Sequence, residues 1–152
     1  MLKSMKVGDE AELEVMDFLR SLGFYPYKND NPKTRLLYDI AADHECRTIT
    51  FEVKHDVMSA KTGNVALEYF NSKKGTPSGI TATTADWWVH KICGELWIIK
   101  TSDLLNFTKT EKPCKMISAG GDKNADLMIY AIDRFTSNAR LLSSITSIEE
   151  LL

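Results

Sequence analysis

Apolar residues recur along this chain with two different periods, and those periods divide it into elements before any chemistry is considered. In residues 7–22, Ala11, Val15, Phe18, Leu19 and Leu22 form one apolar stripe at helical spacing, with Gly23 as a stop and Pro26 just beyond. In residues 48–54 the period is two. Thr48, Thr50, Glu52 and Lys54 share one side, and Ile49, Phe51 and Val53 the other, as the side-chain repeat of a strand requires. Residues 36–42 are short and apolar, and Asp43, His44 and Glu45 supply turn residues, so the two runs are expected to pair as a hairpin. Residues 65–70 alternate again, with Ala66, Glu68 and Phe70 opposite Val65, Leu67 and Tyr69.

The remaining stretches complete the outline. Residues 24–28 read as a first strand, 29–33 as a loop, and the polar residues 55–63 as a loop or short turn. Thr84 is placed to cap a helix running to about Cys93, with Ala85, Trp88, Val89 and Ile92 on one face and Gly94 as its stop. On that reading Trp88 belongs to the core, and Trp87 lies off the stripe, either packed on the sheet or facing a partner. Residues 96–99 are continuously apolar, as a strand buried on both faces would be. Thr101 or Ser102 then caps a short helix through Phe107. A glycine-rich turn spans 119–125, a strand 127–132, and Ser147 and Glu150 have capping-box spacing near an apolar end that packs on the core or on a second subunit. This order predicts an α/β fold with a mixed β-sheet flanked by helices.

Composition narrows the class. A chain of 152 residues is of a size for one domain, spanning 1–152. No run approaches a membrane span and the N-terminus lacks an apolar signal core, so no membrane association and a cytoplasmic, intracellular setting are expected. Cys46, Cys93 and Cys114 have no metal-ligand spacing and are expected to be reduced, partly buried thiols. The net charge of -2 counts against a strong nonspecific nucleic-acid binder, unless the lysines are gathered locally.

The candidate chemistry lies on the predicted hairpin. If Asp39 stands opposite Thr50 or Glu52, it meets Glu52 and Lys54 on one face; a slip of one residue sends it to the other. Two adjacent carboxylates resist joint ionisation unless a cation sits between them, and oxygen ligands of this kind suit Mg²⁺. A solvent-facing Glu-Lys pair on an ordinary strand has the same pattern. Glu68 is a further carboxylate, available either to a second metal or to a cross-strand lysine. The loop after it carries Lys73, Lys74 and Ser78, suited to phosphate contact and equally to a hydrophilic hairpin end. His55 follows the motif but points away from Lys54 if the strand continues; His44 and His90 are weaker candidates for a general base.

Asp39 followed by Glu52-Val53-Lys54 resembles the motif of the PD-(D/E)XK nuclease superfamily, with Tyr38 where the nominal motif has proline. Gly8-Asp9-Glu10-Ala11-Glu12, leading into Val15, Leu19 and Leu22-Gly23-Phe24, is similar to the Gly-x-x-x-Glu helix that opens many resolvase-like members. Residues 64–69 followed by the Lys-Gly-Thr-Pro-Ser-Gly loop look like a segment of some small phage and restriction-type nucleases. The resemblance runs from about Val7 to Lys54, and more loosely to about Lys100. It implies a restriction-endonuclease-like fold and Mg²⁺, with Mn²⁺ as substitute, held by Asp39, Glu52 and the Val53 carbonyl and assisted by Glu12. It also implies Lys54 at the attacking water and DNA cut to 5′-phosphate and 3′-hydroxyl ends. Cutting both strands with one triad per chain predicts a homodimer or larger assembly, with Trp87, Leu151 and Leu152 as interface material. The competing expectation is a non-cleaving nucleic-acid-binding or interaction protein on the same scaffold.

Overall fold

The computed structural model describes residues 2–118 and 125–152, with side chains from residue 8 onward. Helix α1 (Leu2–Leu22) starts earlier than its stripe indicates and ends where Gly23 takes a positive φ of 109°. Ala11, Val15 and Leu19 are fully buried, so the stripe is the face that packs. Then come β1 (Tyr25–Lys28), β2 (Ile40–His44) and β3 (Arg47–Asp56), the last two forming the expected hairpin around a turn in which Glu45 has φ 54°. Strand β3 runs two residues beyond Lys54, so part of the segment expected as a loop is strand. A short helix α2 (Ser59–Thr62) takes most of the rest.

The chain continues through β4 (Asn64–Asn71), β5 (Thr76–Pro77), a 3₁₀ turn at Gly79–Thr81, β6 (Trp87–Ile92) and β7 (Glu95–Lys100). After these come α3 (Thr101–Thr110), β8 (Lys115–Ile117), β9 (Ala125–Ala131), α4 (Ile132–Thr136) and β10 (Arg140–Leu141). Of the expected glycine-rich turn only Ala125, the first residue of β9, lies within the described residues. Helix α3 has no side-chain cap, so neither Thr101 nor Ser102 does what was expected.

Six strands form one sheet in the order β1-β2-β3-β6-β7-β10, mixed because β3 and β6 run parallel while the other pairs are antiparallel. Four form a second, antiparallel sheet in the order β5-β4-β9-β8. Each face of the large sheet has its own core. Ile49, Phe51, Val53 and Val89 pack with Ala11, Val15 and Leu19 of α1; Trp88 and Ile92 pack on the other side with Val65 and Leu67 of β4 and Leu104 and Phe107 of α3.

Strand β6 corrects the helix predicted from Thr84 to Cys93. Because both its faces are buried, its apolar residues do not alternate with polar ones, and Trp88, Val89 and Ile92 coincide with helical spacing. The local chemistry favours a strand: Trp, Val and Ile suit a pleated surface, and Cys93 and Gly94, with φ of 50° and 82°, make a tight hairpin turn into β7. Trp88 is core, as expected.

The C-terminal tail packs on its own chain. Leu151 is buried, Trp87 Nε1 donates to its carbonyl (3.0 Å), and Arg47 donates to the carbonyl of Leu152 (3.1 Å). Trp87 and Leu151 are therefore not free interface material. Glu150 accepts the amides of Thr146 and Ser147 at 2.7 and 3.0 Å; with Arg140, these hold its carboxyl down at about 2. The three cysteines are exposed, not partly buried as expected. Among the described residues no helix is long and apolar enough to cross a membrane.

One glycine lets the turn at Gly79–Thr81 seat closely against β4. A Cβ built at Gly79, whose φ is 53°, would strike the backbone oxygen of Glu68. Gly79→Ala should therefore destabilise the protein by about 2–5 kcal/mol, the left-handed backbone and the overpacking acting together. A urea unfolding midpoint equal to that of the wild type would show that the contact yields without cost.

Candidate active site

Strand β3 carries Glu52 and Lys54 on the face turned away from α1, and the hairpin brings Asp39 to them. In the β2/β3 register Ile40 is opposite Phe51, so one step further sets Asp39 opposite Glu52. Asp39 lies just before β2 and is fixed there: its amide donates to Phe51 O (2.9 Å), and its Oδ2 accepts the Val53 amide (2.8 Å). The face-sharing trio expected from the alternation is thus assembled.

Burial decides the electrostatics. Glu52 is only 6% exposed, and its carboxyl is pushed up to about 7, chiefly by desolvation and further by Asp39, against the pull of Lys54. Its Oε1 lies 3.2 Å from Lys54 Nζ and its Oε2 3.3 Å from the Thr83 hydroxyl. Burial pulls the Lys54 ammonium down, but Glu52, Asp39 and Glu68 together outweigh it and hold its pKa above the usual lysine value. Lys54 is therefore a fixed positive charge, placed 5.9 Å from the Trp88 ring centre.

Of the accessory acids, Glu12 on α1 feels Asp39 and Lys54 electrostatically but does not line the cleft that Asp39, Glu52 and Lys54 share. It pairs with Lys28 at 3.8 Å, and its carboxyl is raised by burial and by Asp39. Glu68 arrives by an unexpected route. The strand beside β3 is β6, so β4 is no neighbour of Glu52 in the large sheet, yet Glu68 lines the same cleft from the second sheet. That cleft, about 240 Å³, is also lined by Asp39, Glu52, Lys54, Lys74 and Ser78. Lys73 is exposed and does not line it. Ser78 Oγ is buried there without a hydrogen-bond partner among the described residues, which is costly unless another group supplies one.

His90 stands opposite Lys54 in the β3/β6 register, whereas His55 and His44 are directed elsewhere. The continuing strand puts His55 on the alternate side from Lys54, and His44 contacts Glu45 at 3.9 Å in the hairpin turn. His90 is buried, and that burial keeps its pKa low. Its Nδ1 accepts the Trp88 indole N–H at 3.1 Å, so Nε2 carries the proton toward Asp56 at 3.1 Å. This is a polar brace at the end of β3 and β6.

Two residues that matter to the site are not marked by the sequence pattern. The Thr83 hydroxyl lies 2.9 Å from the Leu37 carbonyl as well as near Glu52, tying the Asp39 approach to the face that carries Glu52 and Lys54. Asp86 Oδ2 accepts the amide and hydroxyl of Thr50 (2.9 and 3.2 Å), and the Asp86 amide donates to Thr50 Oγ1 (3.1 Å), clamping the start of β6 to β3. Their only signal is a run of short residues, Thr83-Thr84-Ala85-Asp86, which suits a helix start equally well.

The donor set is compatible with a Mg²⁺ ion. Among the described residues no three His, Cys, Asp or Glu side chains are grouped closely enough to cage a metal. Mg²⁺ does not require a cage; one or two carboxylates, waters and a substrate phosphate suffice. Asp39 and Glu52 in mutual contact, with the Val53 carbonyl on the residue whose amide Asp39 holds, supply such a set.

The raised Glu52 carboxyl has a measurable consequence without any metal. The folded state holds this proton more tightly than the unfolded chain, so the Glu52 contribution to stability falls as pH rises from about 4.5 to about 7. Glu52→Gln should remove that loss and give a protein at least as stable as wild type at pH 8. Urea midpoints in chelator at pH 5 and pH 8 check it; a larger loss of stability at pH 8 for the variant would contradict the reading.

No protein-family model and no curated protein matches the sequence. Among solved structures, the fold is similar to that of a bacterial homing endonuclease, I-Ssp6803I, with a TM-score of 0.52 and 19% identity over 67% of this chain and 72% of that one. A Holliday junction resolvase of Archaeoglobus fulgidus aligns over 91% of this chain and 94% of its own, with 10% identity and a TM-score of 0.49. The α/β class expected from the sequence, a mixed sheet flanked by helices, is the one adopted, and the likeness to the homing endonuclease is one of fold.

Proposed function

We propose that this chain is a divalent-metal-dependent DNA endonuclease whose centre is Asp39, Glu52 and Lys54. The observation that carries the reading is the convergence of these three side chains in one cleft, with Glu52 buried against Asp39. Asp39, Glu52 and the Val53 carbonyl are the proposed ligands of Mg²⁺, or of Mn²⁺ in its place, and Glu12 and Glu68 stand as outer carboxylates. When bound, the ion supplies Lewis acidity at the scissile phosphate and a nucleophilic water. Lys54 holds its proton and presents a fixed charge to the attacking water and the developing phosphate oxygens. Asp39, anchored on the Val53 amide, fixes the geometry, and Thr83 orients Glu52. Lys74 and Ser78 line the cleft where a DNA backbone would enter, with Lys73 outside it; the products carry 5′-phosphate and 3′-hydroxyl ends. The fold likeness to a homing endonuclease is in keeping with DNA as the substrate.

A second reading, a nucleic-acid-binding protein that does not cut, draws on the net charge of -2 and on the ion pair that engages Glu52 with Lys54. Cleavage assays with Mg²⁺ and Mn²⁺ on linear, nicked, single-stranded and four-way DNA separate the two. Metal-dependent cutting that falls at least about 100-fold in both Glu52→Gln and Lys54→Ala is the expected result; both variants within about tenfold of wild type would reject the assignment. Binding of the panel without cutting would favour the second reading.

Each chain supplies one such centre, so cutting two strands in one binding event calls for two chains, and the active species is proposed to be a homodimer. Light scattering that finds a monomer on DNA under conditions of concerted double-strand cutting would overturn it.

A further inference from the structure

The turn that leads into Asp39 places two residues at the cleft that the chemistry above does not use, Arg35 and Leu36. Leu36 is 72% exposed. Single exposed leucines are ordinary on protein surfaces, so exposure alone implies nothing. What sets this one apart is the combination of its mounting, its neighbour and the opposite wall.

The mounting is stiff. The Arg35 amide donates to Asn31 O (2.9 Å) and the Leu37 amide to Thr34 O (2.8 Å), while the Asn29 side chain donates to Tyr38 O (3.1 Å) and accepts the Thr34 hydroxyl (3.1 Å). On the far side the Thr84 amide donates to Leu37 O at 2.9 Å, and the Thr83 hydroxyl lies 2.9 Å from the same oxygen. A leucine on a floppy loop would fold back on apolar surface; this one is held out in water, three residues from the proposed metal ligand Asp39.

The neighbour is a cation. Among the described residues the Arg35 side chain has no ion-pair or hydrogen-bond partner, so its guanidinium fork is available to a phosphate. Lys74 and the unpartnered Ser78 hydroxyl line the same cleft from the second sheet. At about 240 Å³ the cleft takes a piece of one backbone and not a stacked base pair, so the duplex stays at the rim, where Leu36 stands.

We infer that Leu36 is an apolar wedge that enters the base stack beside the scissile phosphate, while Arg35 and Lys74 hold the backbone from the two walls. The inference rests on the reading of the cleft as a DNA site and deepens it by naming what the site selects. Apolar side chains inserted at base steps unstack them, and the cost is lowest where stacking is already weak. The preferred substrate class is then DNA whose stacking is weakened at the cut: flexible pyrimidine–purine steps, mismatches and branch points.

The test uses the full chain in chelator, so that nothing is cut, and DNA duplexes carrying 2-aminopurine at a central TA step, paired or mismatched. Saturating wild type should raise the fluorescence about twofold or more as the base unstacks. Leu36→Ala should abolish that rise while keeping affinity, by anisotropy, within about threefold; Leu36→Met should restore it. Arg35→Ala should weaken binding on the order of tenfold yet keep the rise at saturation. No rise with saturating wild type, or an equal rise with Leu36→Ala, overturns the inference, as does failure of the wild type to bind either duplex. Cutting is scored separately with metal. A protein that cuts without unstacking loses the wedge and keeps the nuclease assignment; one that unstacks and never cuts keeps the wedge and loses that assignment.

Discussion

Keeping a carboxylate buried beside another carboxylate is the constraint around which this molecule is built. Glu52 at 6% exposure, in contact with Asp39, forgoes most of the hydration that would stabilise its ionised form. Such burial costs several kcal/mol per ion unless charges and hydrogen bonds are supplied. The chain supplies Lys54 at 3.2 Å and Thr83 at 3.3 Å, and still leaves the carboxyl pushed up to about 7. Holding these groups requires β3 to lie inside the sheet, with β2 on one side and β6 on the other. Hence the Asp86–Thr50 clamp at the start of β6 and the His90–Asp56 brace at the end of β3: both fix one parallel strand to the other at the two ends of the segment that carries the site.

Which elements are legible in the sequence depends on which faces meet water. Strand β3 alternates visibly because Ile49, Phe51 and Val53 enter the α1 core while Thr48 and Thr50 keep a polar side, so the face of Glu52 and Lys54 is legible, and the turn residues mark the hairpin. Helix α1 shows its stripe for the same reason. Strand β6 loses its alternation to burial on both faces and imitates a helix. Thr83 and Asp86 act through contacts 31 and 36 residues away in sequence, to which a local pattern has no access. The second sheet is invisible as such, since the pairing of β4 with β9 depends on long-range register and not on either strand's composition.

Charge matters here through its placement. A net charge of -2 describes the whole chain, but phosphate contact depends on where the cations stand. Arg35, Lys54 and Lys74 all line the one cleft, whereas Lys28 pairs with Asp9 and Lys91 with Glu14 at the α1 side of the molecule. The acids of α1 thus pair with cations outside the cleft, while Arg35, Lys54 and Lys74 line it. In such a narrow concavity, nearby low-dielectric walls strengthen the field of these few charges at the position a phosphate would take.

The second sheet makes this concavity possible. A six-stranded sheet alone would present Asp39, Glu52 and Lys54 on an open face, where water would screen Lys54 and lower the Glu52 pKa. The wall formed by β4 and the turn at Gly79–Thr81 covers that face, and its two parts fit together because Gly79 has no Cβ to strike the Glu68 backbone oxygen. The same wall carries Ser78, whose hydroxyl is buried and unpartnered among the described residues, and Glu68, which acts electrostatically on Lys54. The perturbed carboxylate and the orphaned hydroxyl both lie at the cleft this wall helps enclose. A shift of the turn away from β4 would open the cleft and hydrate both groups, which is why the glycine at 79 belongs to the site although it carries no functional group.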